Sequence, residues 1–184
     1  MLDDTRPASA GQAADPPAIR CALMSASAGP PRAPDANAAG LIELILARYH
    51  ETHRREFPEA ITLARKVEAV HADAPGCPHG LADHLALMLD DLESHQQREE
   101  QVLFPMILAG GSPMIRFPIG RMMAEHEDVE VQLRDLRALT GDFACPADAC
   151  GTWRALNALC RKLDADLREH MRLENELLFA PFLT

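Results

Sequence analysis

Aromatic side chains make up only 4% of the 184 residues, and runs of β-branched residues are few. The side chains that favour pleated strands are therefore in short supply, and an all-α chain is expected. Basic residues are outnumbered too, 18 Lys and Arg against 28 Asp and Glu. A net charge of -10 speaks against a long phosphate-binding face, because nucleic-acid binders neutralise phosphates with clustered cations. No apolar run approaches the roughly 20 residues needed to cross a bilayer. Met1 to Ala10 carries acid where a secretory signal would carry a basic region followed by an apolar one. The expectations are no nucleic-acid partner, no membrane partner and a cytoplasmic location. Cys21, Cys77, Cys145, Cys150 and Cys160 form neither an even framework nor a CxxC pair, which suits a reducing compartment without disulfides.

A chain of this length is expected to build one core. Residues 1–36, rich in Ala, Pro, Gly, Ser and Asp, bury too little apolar surface to offset their ordering entropy and read as a disordered leader. Its Cys21 reads as an inert thiol, since no basic cluster beyond Arg20 lowers its pKa. Residues 37–184 turn helical. Leu41, Leu44, Ile45 and Tyr49, then Ile61, Ala64, Val67 and Val70, recur at steps of three and four. The first helix is expected from about Asn37 to about His71, with Pro58 kinking it or loosening a turn.

The breakers between Asp73 and Pro78 end that helix, and a second is expected from about Pro78 to Leu108 with Pro78 in its first turn. Gly110 to Pro113 marks the next break, and a third helix runs from near Met114 to Leu139. Thr140-Gly141 closes it, Gly151-Thr152 offers an N-cap, and a fourth helix reaches about Phe179. Four long helices with short connections predict an antiparallel up-down four-helix bundle.

Two segments match: His95-Gln96-Gln97-Arg98-Glu99 in the second helix and His170-Met171-Arg172-Leu173-Glu174 in the fourth. Each sets an imidazole and a carboxylate four residues apart on one helix face. One such pair alone is most simply an exposed ion pair; the repetition, with Leu103-Phe104 and Leu178-Phe179 following as wall residues, points to a shared site. Imidazole suits iron and other borderline metals, and a carboxylate can bridge two ions.

The other two helices offer His50 and His126. His50 lies about 22 residues before the first turn and His95 about 18 after it, roughly 33 and 27 Å, so they can meet. Four histidines and two carboxylates supply each of two ions with two imidazoles and shares in both bridges, leaving room for an oxo or hydroxo bridge and a diatomic ligand.

The remaining candidates have plainer roles. His71 sits about 21 residues, roughly 31 Å, beyond His50 and falls outside the ligand set on geometry. His53, one turn from His50, could take its place but reads more simply as a residue behind the ligands or on the surface, His84 as a core-edge histidine and His79 as a loop residue. Tyr49 and Glu125 adjoin ligand positions, with packing or solvation the simpler reading. Cys145, Cys150 and Cys160 read as a loop thiol, a helix-start thiol and a core thiol, with no nucleophile–base pairing legible around them.

Arg48-Tyr49-His50-Glu51-Thr52-His53-Arg54, Gly80-Leu81-Ala82-Asp83-His84, Leu92-Glu93-Ser94-His95, Glu99 to Met106 and His170 to Asn175 together resemble the RIC family. These are di-iron proteins associated with repair of iron–sulfur clusters, within the hemerythrin-like superfamily. The resemblance covers about Leu41 to Pro181. It implies a hemerythrin-like bundle holding two non-haem iron ions on His50, His95, Glu99, His126, His170 and Glu174, and a further family histidine corresponds to His71. It also implies a cytoplasmic protein of the nitrosative and oxidative stress response, with damaged or apo iron–sulfur proteins as iron acceptors. Two departures stand out: the leader with Cys21 replaces the family's compact N-terminal domain and its cysteine pair, and Glu127 follows His126 where the family more often has Asp.

The same ligand set serves two other functions. One is a binding protein that captures nitric oxide or dioxygen and keeps its iron. The other is an enzyme that reduces nitric oxide at the paired ions.

Overall fold

The computed structural model describes residues 36–183; the expected leader, with Cys21, lies outside them. The described residues form four long helices: α1 (36–70), α2 (81–108), α3 (Arg116–Leu139) and α4 (151–182). α1 packs on α2 and α4, and α3 packs on the same two helices. Connections too short to cross the bundle reverse the chain each time, which produces the antiparallel up-down arrangement expected. Among the described residues there is no strand, and no helix is long and apolar enough to cross a membrane.

Three local expectations are corrected. Pro58 does not interrupt its helix: Glu51–Val70 is continuous through it, and Thr62 Oγ1 donates to the Pro58 carbonyl at 2.9 Å. Pro58 and Arg54, the residue that would have received the missing N–H, both face solvent, where water can replace the lost bond. The loosened turn lies instead at Leu46–His50, where the Glu51 N–H reaches back five residues to Leu46 O in π fashion. Pro78 precedes α2 rather than opening it, since the Leu81 N–H closes a turn on Pro78 O through Gly80 at φ +83°. The N-cap of α4 is Cys150, not Gly151 or Thr152.

The α2–α3 turn shows why Gly110-Gly111 stands there. Gly111 N–H bonds Met106 O and Gly110 N–H bonds Ile107 O, both at 2.9 Å, the paired capping pattern that ends helices in a left-handed residue. A Cβ on Gly111 would lie 2.8 Å from Phe182 Cε1, so the turn closes directly on the end of α4.

Two apolar clusters fill the bundle. One contains Phe57, Leu81, Leu85, Leu133, Trp153 and Leu156; the other contains Ile45, Leu103, Phe104, Ile119, Leu178 and Phe179. Every helix passes from one cluster to the other, and on each the crossing is marked by buried polar residues. These are His50 and His53, then His95, Gln96 and Glu99, then His126, and finally His170 and Glu174, none more than 4% exposed. A polar layer held in place by apolar packing on both sides is the setting for any chemistry here.

Candidate metal centre

Three of the four helices depart from α geometry where they cross the polar layer. His50 ends the π segment Leu46–His50, Glu99 opens Glu99–Leu103, and Glu174 is the second residue of Leu173–Phe179. A π turn holds one more residue than an α turn, which changes the faces presented beyond it. Adjacent residues Glu99 and Glu100 thereby serve one site differently: Glu99 lies among the histidine Nε2 atoms, while Glu100 Oε1 accepts a hydrogen bond from His50 Nδ1 at 2.7 Å.

All six residues expected from the sequence meet in this layer. His50 and His170 bring their Nε2 atoms to 3.2 Å of each other, and His95 and His126 do the same at 3.2 Å. Glu99 spans the two pairs, with Oε2 3.5 Å from His50 Nε2 and Oε1 3.4 Å from His95 Nε2. Glu174 also spans them, with Oε1 2.9 Å from His170 Nε2 and Oε2 3.2 Å from His126 Nε2. Two overlapping groups result, His50–Glu99–His170–Glu174 and His95–Glu99–His126–Glu174, each with its potential ligand atoms within 4.8 Å of one another.

The donors around this layer point outward. His50 Nδ1 donates to Glu100, His95 Nδ1 to Glu125 Oε2 at 2.8 Å, and His126 Nδ1 to Asn175 Oδ1 at 3.0 Å. A carboxylate or amide oxygen only accepts, so Nδ1 of His50, His95 and His126 carries a proton, which leaves the inward Nε2 as the atom able to hold a metal. Both oxygens of Glu99 are buried without a hydrogen-bond partner. Carboxylate oxygens buried without partners are costly. A pair of cations would satisfy them, and nitrogen with carboxylate oxygen suits first-row transition metals.

The electrostatics favour positive charge. Burial pulls the His95 pKa down, but Glu99, Glu174 and Glu125 outweigh it and raise it to about 9. Burial pushes the Glu174 carboxyl up, yet His170 and His126 hold it well below the usual carboxylate range. Glu125, opposed by burial, is brought to about 2 by Arg98, Arg121 and His95.

Sequence reasoning did not identify Glu100 and Asn175, and it undervalued Glu125, which is a hydrogen-bond anchor for His95 rather than a merely packed or solvated residue. Histidines at metal centres commonly have their outer nitrogen oriented in this way. Glu125→Ala is expected to weaken metal affinity about 10- to 100-fold without changing the metal-to-chain ratio at saturation. Competition against a chromophoric chelator measures this, and an unchanged affinity would remove Glu125 from that role.

His53 is fully buried behind the site, with Nδ1 accepting from Gln96 Nε2 at 3.3 Å and its ring 5.6 Å from that of His170. Burial lowers its pKa to about 2, so it stays neutral there. Tyr49 stacks on His170 with centroids 5.3 Å apart and planes 5° from parallel, which is packing, as read from the sequence. His84 Nε2 donates to Gln132 O at 2.9 Å, and His79 lies in the α1–α2 connection.

His71 takes no part in either group. It caps the C-terminal end of α1, with Nε2 3.1 Å from Cys150 Sγ, so a cysteine–histidine pairing that the sequence did not reveal does exist. Cys77, Cys145, Cys150 and Cys160 are free thiols, and burial pushes Cys160 up to about 12. Two clefts reach the outer sides of the converging histidines. One of about 190 Å³ is lined by Asp91, His95, Arg98 and Glu125; the other, about 290 Å³, is lined by His126, Glu130, Arg172 and Asn175.

Residues 42–181 match the Hemerythrin HHE cation binding domain, a span that contains all six converging residues. The chain belongs to the hemerythrin HHE family. This HHE chain is 46% identical over 164 residues to the iron-sulfur cluster repair protein YtfE of Musicola paradisiaca, a match covering 88% of this chain and 74% of that one. It is 47% identical over 139 residues to proteins of the same name from Dickeya chrysanthemi and Yersinia pseudotuberculosis, covering 76% of this chain and 63% of each relative. The match to the latter two is thus under two thirds of their length. Cation binding follows from membership of the HHE family, in keeping with the paired histidine–glutamate groups.

Proposed function

We propose that this protein restores damaged iron–sulfur clusters, with two iron ions held by His50, His95, Glu99, His126, His170 and Glu174 and iron donated from that site as cargo. The observation that carries the reading is the buried layer in which four Nε2 atoms meet two carboxylates that each span both histidine pairs. That every carboxylate is within reach of both histidine pairs supports two cations rather than one. The names of the relatives, cluster repair proteins at 46–47% identity, support repair as the use made of it.

When bound, iron would supply redox-active positive charge to the layer. The chain's own residues orient and neutralise. Glu100, Glu125 and Asn175 hold the imidazoles by their outer nitrogens, and the apolar clusters on either side keep the layer from water along the bundle axis. The clefts beside His95 and His126 offer lateral approach for an acceptor or a small ligand. The reading includes a cytoplasmic location and damaged or apo iron–sulfur proteins as partners; the free thiols at Cys77, Cys145, Cys150 and Cys160 suit a reducing compartment. Residues 37–184 form the metal-holding domain in this reading.

The test begins with the iron-to-chain ratio of anaerobically purified protein, with zinc measured in the same sample. The expected ratio is two, and incubation with an apo-cluster acceptor should then lower it while the acceptor gains its cluster absorbance. A ratio that holds at two while nitric oxide or dioxygen binds reversibly would make this a gas-binding protein, and nitrous oxide as product would make it a reductase. No iron after ferrous reconstitution, or one tightly held zinc, would overturn the two-iron centre.

A further inference from the structure

Beyond the polar layer, the other end of the bundle brings together Cys150 and His71. His71 stands about 21 residues past His50, roughly 31 Å along α1, so the pair has no contact with the metal centre. His71 Nε2 lies 3.1 Å from Cys150 Sγ, and its ring leans on the buried Trp153 with centroids 5.2 Å apart, which fixes the imidazole beside the sulfur. Both residues are half-buried, so the sulfur remains within reach of solvent.

Cys150 occupies the N-cap of α4, where unsatisfied backbone donors and the positive end of the helix dipole converge. The backbone N–H groups of Trp153 and Thr152 at that helix end, together with His71, lower the thiol to about 7 against the effect of burial. Other thiols go the opposite way: burial raises Cys77 and Cys160. A nucleophile within hydrogen-bond reach of an imidazole that is itself held by packing has the arrangement of an activated thiol rather than a structural one.

We propose that Cys150 is a site of reversible covalent modification, a thiolate positioned by His71 that exchanges with low-molecular-weight disulfides. The Sγ anion attacks one sulfur of the disulfide. A new S–S bond forms on Cys150 as the original one breaks, and the departing sulfur takes the electron pair and leaves as a thiolate. The small disulfide is the only co-reactant needed, and a small thiol reverses the step.

The experiment treats the reduced full-length protein with glutathione disulfide between pH 5 and 9 and maps the adducts by peptide mass spectrometry. Cys150 should be modified first, with half-maximal rate near pH 7. There, a thiol of pKa about 7 carries about fiftyfold more thiolate than one of pKa about 9, and its lower intrinsic nucleophilicity offsets about tenfold of that. The net advantage is roughly fivefold. His71→Asn should lower the pH 7 rate several-fold and move the pH midpoint upward, with helicity by circular dichroism unchanged. Cys150→Ser, which keeps an oxygen at the N-cap, should abolish that adduct while the iron-to-chain ratio stays as in the wild type. Modification of the exposed Cys145 ahead of Cys150, or an unaltered pH profile in His71→Asn, would overturn the assignment.

Discussion

Glu99→Leu should remove most of the stability that bound metal confers while changing the metal-free protein little. Glu99 is fully buried, and neither of its oxygens has a hydrogen-bond partner, which costs about 1–3 kcal/mol for a polar group. In the metal-free protein its attraction to His95 offsets that cost, so leucine there loses and gains together. The loaded protein responds strongly because a ligand that binds only the folded state stabilises it, by about 2.7 kcal/mol at one hundred times its Kd. Removing a carboxylate shared by both groups takes away most of that linkage, so iron per chain should fall below one. Thermal melts of chelator-treated and ferrous-reconstituted protein, with iron counted in each, provide the measurement. A variant that retains two irons, or that gains as much stability from ferrous ion as the wild type does, contradicts a role for Glu99 in both groups.

Phe179→Ala should cost about 3–5 kcal/mol of stability and also loosen metal retention in the molecules that remain folded. Phe179 is fully buried in the cluster that backs the site, and its ring stacks on His126 at 6.3 Å and 11°. The control is Phe57→Ala. Phe57 is equally buried but belongs to the other cluster and meets His53, which is outside both metal groups, edge-on. Denaturant unfolding should give similar losses for the two variants, while iron per folded chain should fall only for Phe179→Ala. Equal iron loss in both would mean that metal retention follows global stability and owes nothing to the Phe179–His126 contact.

The two variants separate the roles of packing and polarity in one layer. Leu103, Phe104, Leu178 and Phe179 were read from the sequence as walls, and all four are buried beside the site. Their contribution is positional: they set the depth at which each helix presents its converging side chain, and the outer hydrogen bonds to Glu100, Glu125 and Asn175 then orient the imidazoles.

Much of this was legible in one dimension because helix geometry is local. Three- and four-residue periodicity announces an amphipathic helix, and a rise of about 1.5 Å per residue converts sequence distance into depth. From those alone came four helices, an antiparallel bundle, the common depth of His50 and His95, and the repeated His-x3-Glu segments, whose four residues the fold brings together with His50 and His126. The geometric placing of His71 outside that group was legible for the same reason, although the resemblance had kept it in view. The π turns were not. Proline does not mark them: Pro105 and Pro181 follow two of the turns, but Leu46–His50 widens with no proline close behind it, and Pro58 sits in unbroken α-helix.

What only the tertiary structure decided is how each helix is rotated about its own axis and which side chains therefore face each other across helices. Glu125 bonds to His95, Glu100 to His50 and Asn175 to His126 from a neighbouring helix. His71 meets Cys150 across 79 positions of chain. No local period encodes such pairings, because they depend on the packing of two clusters and the widened turns between them. Periodicity and helical rise were enough to name the residues that converge; the partners that orient them were set by the rotation of each helix within the bundle.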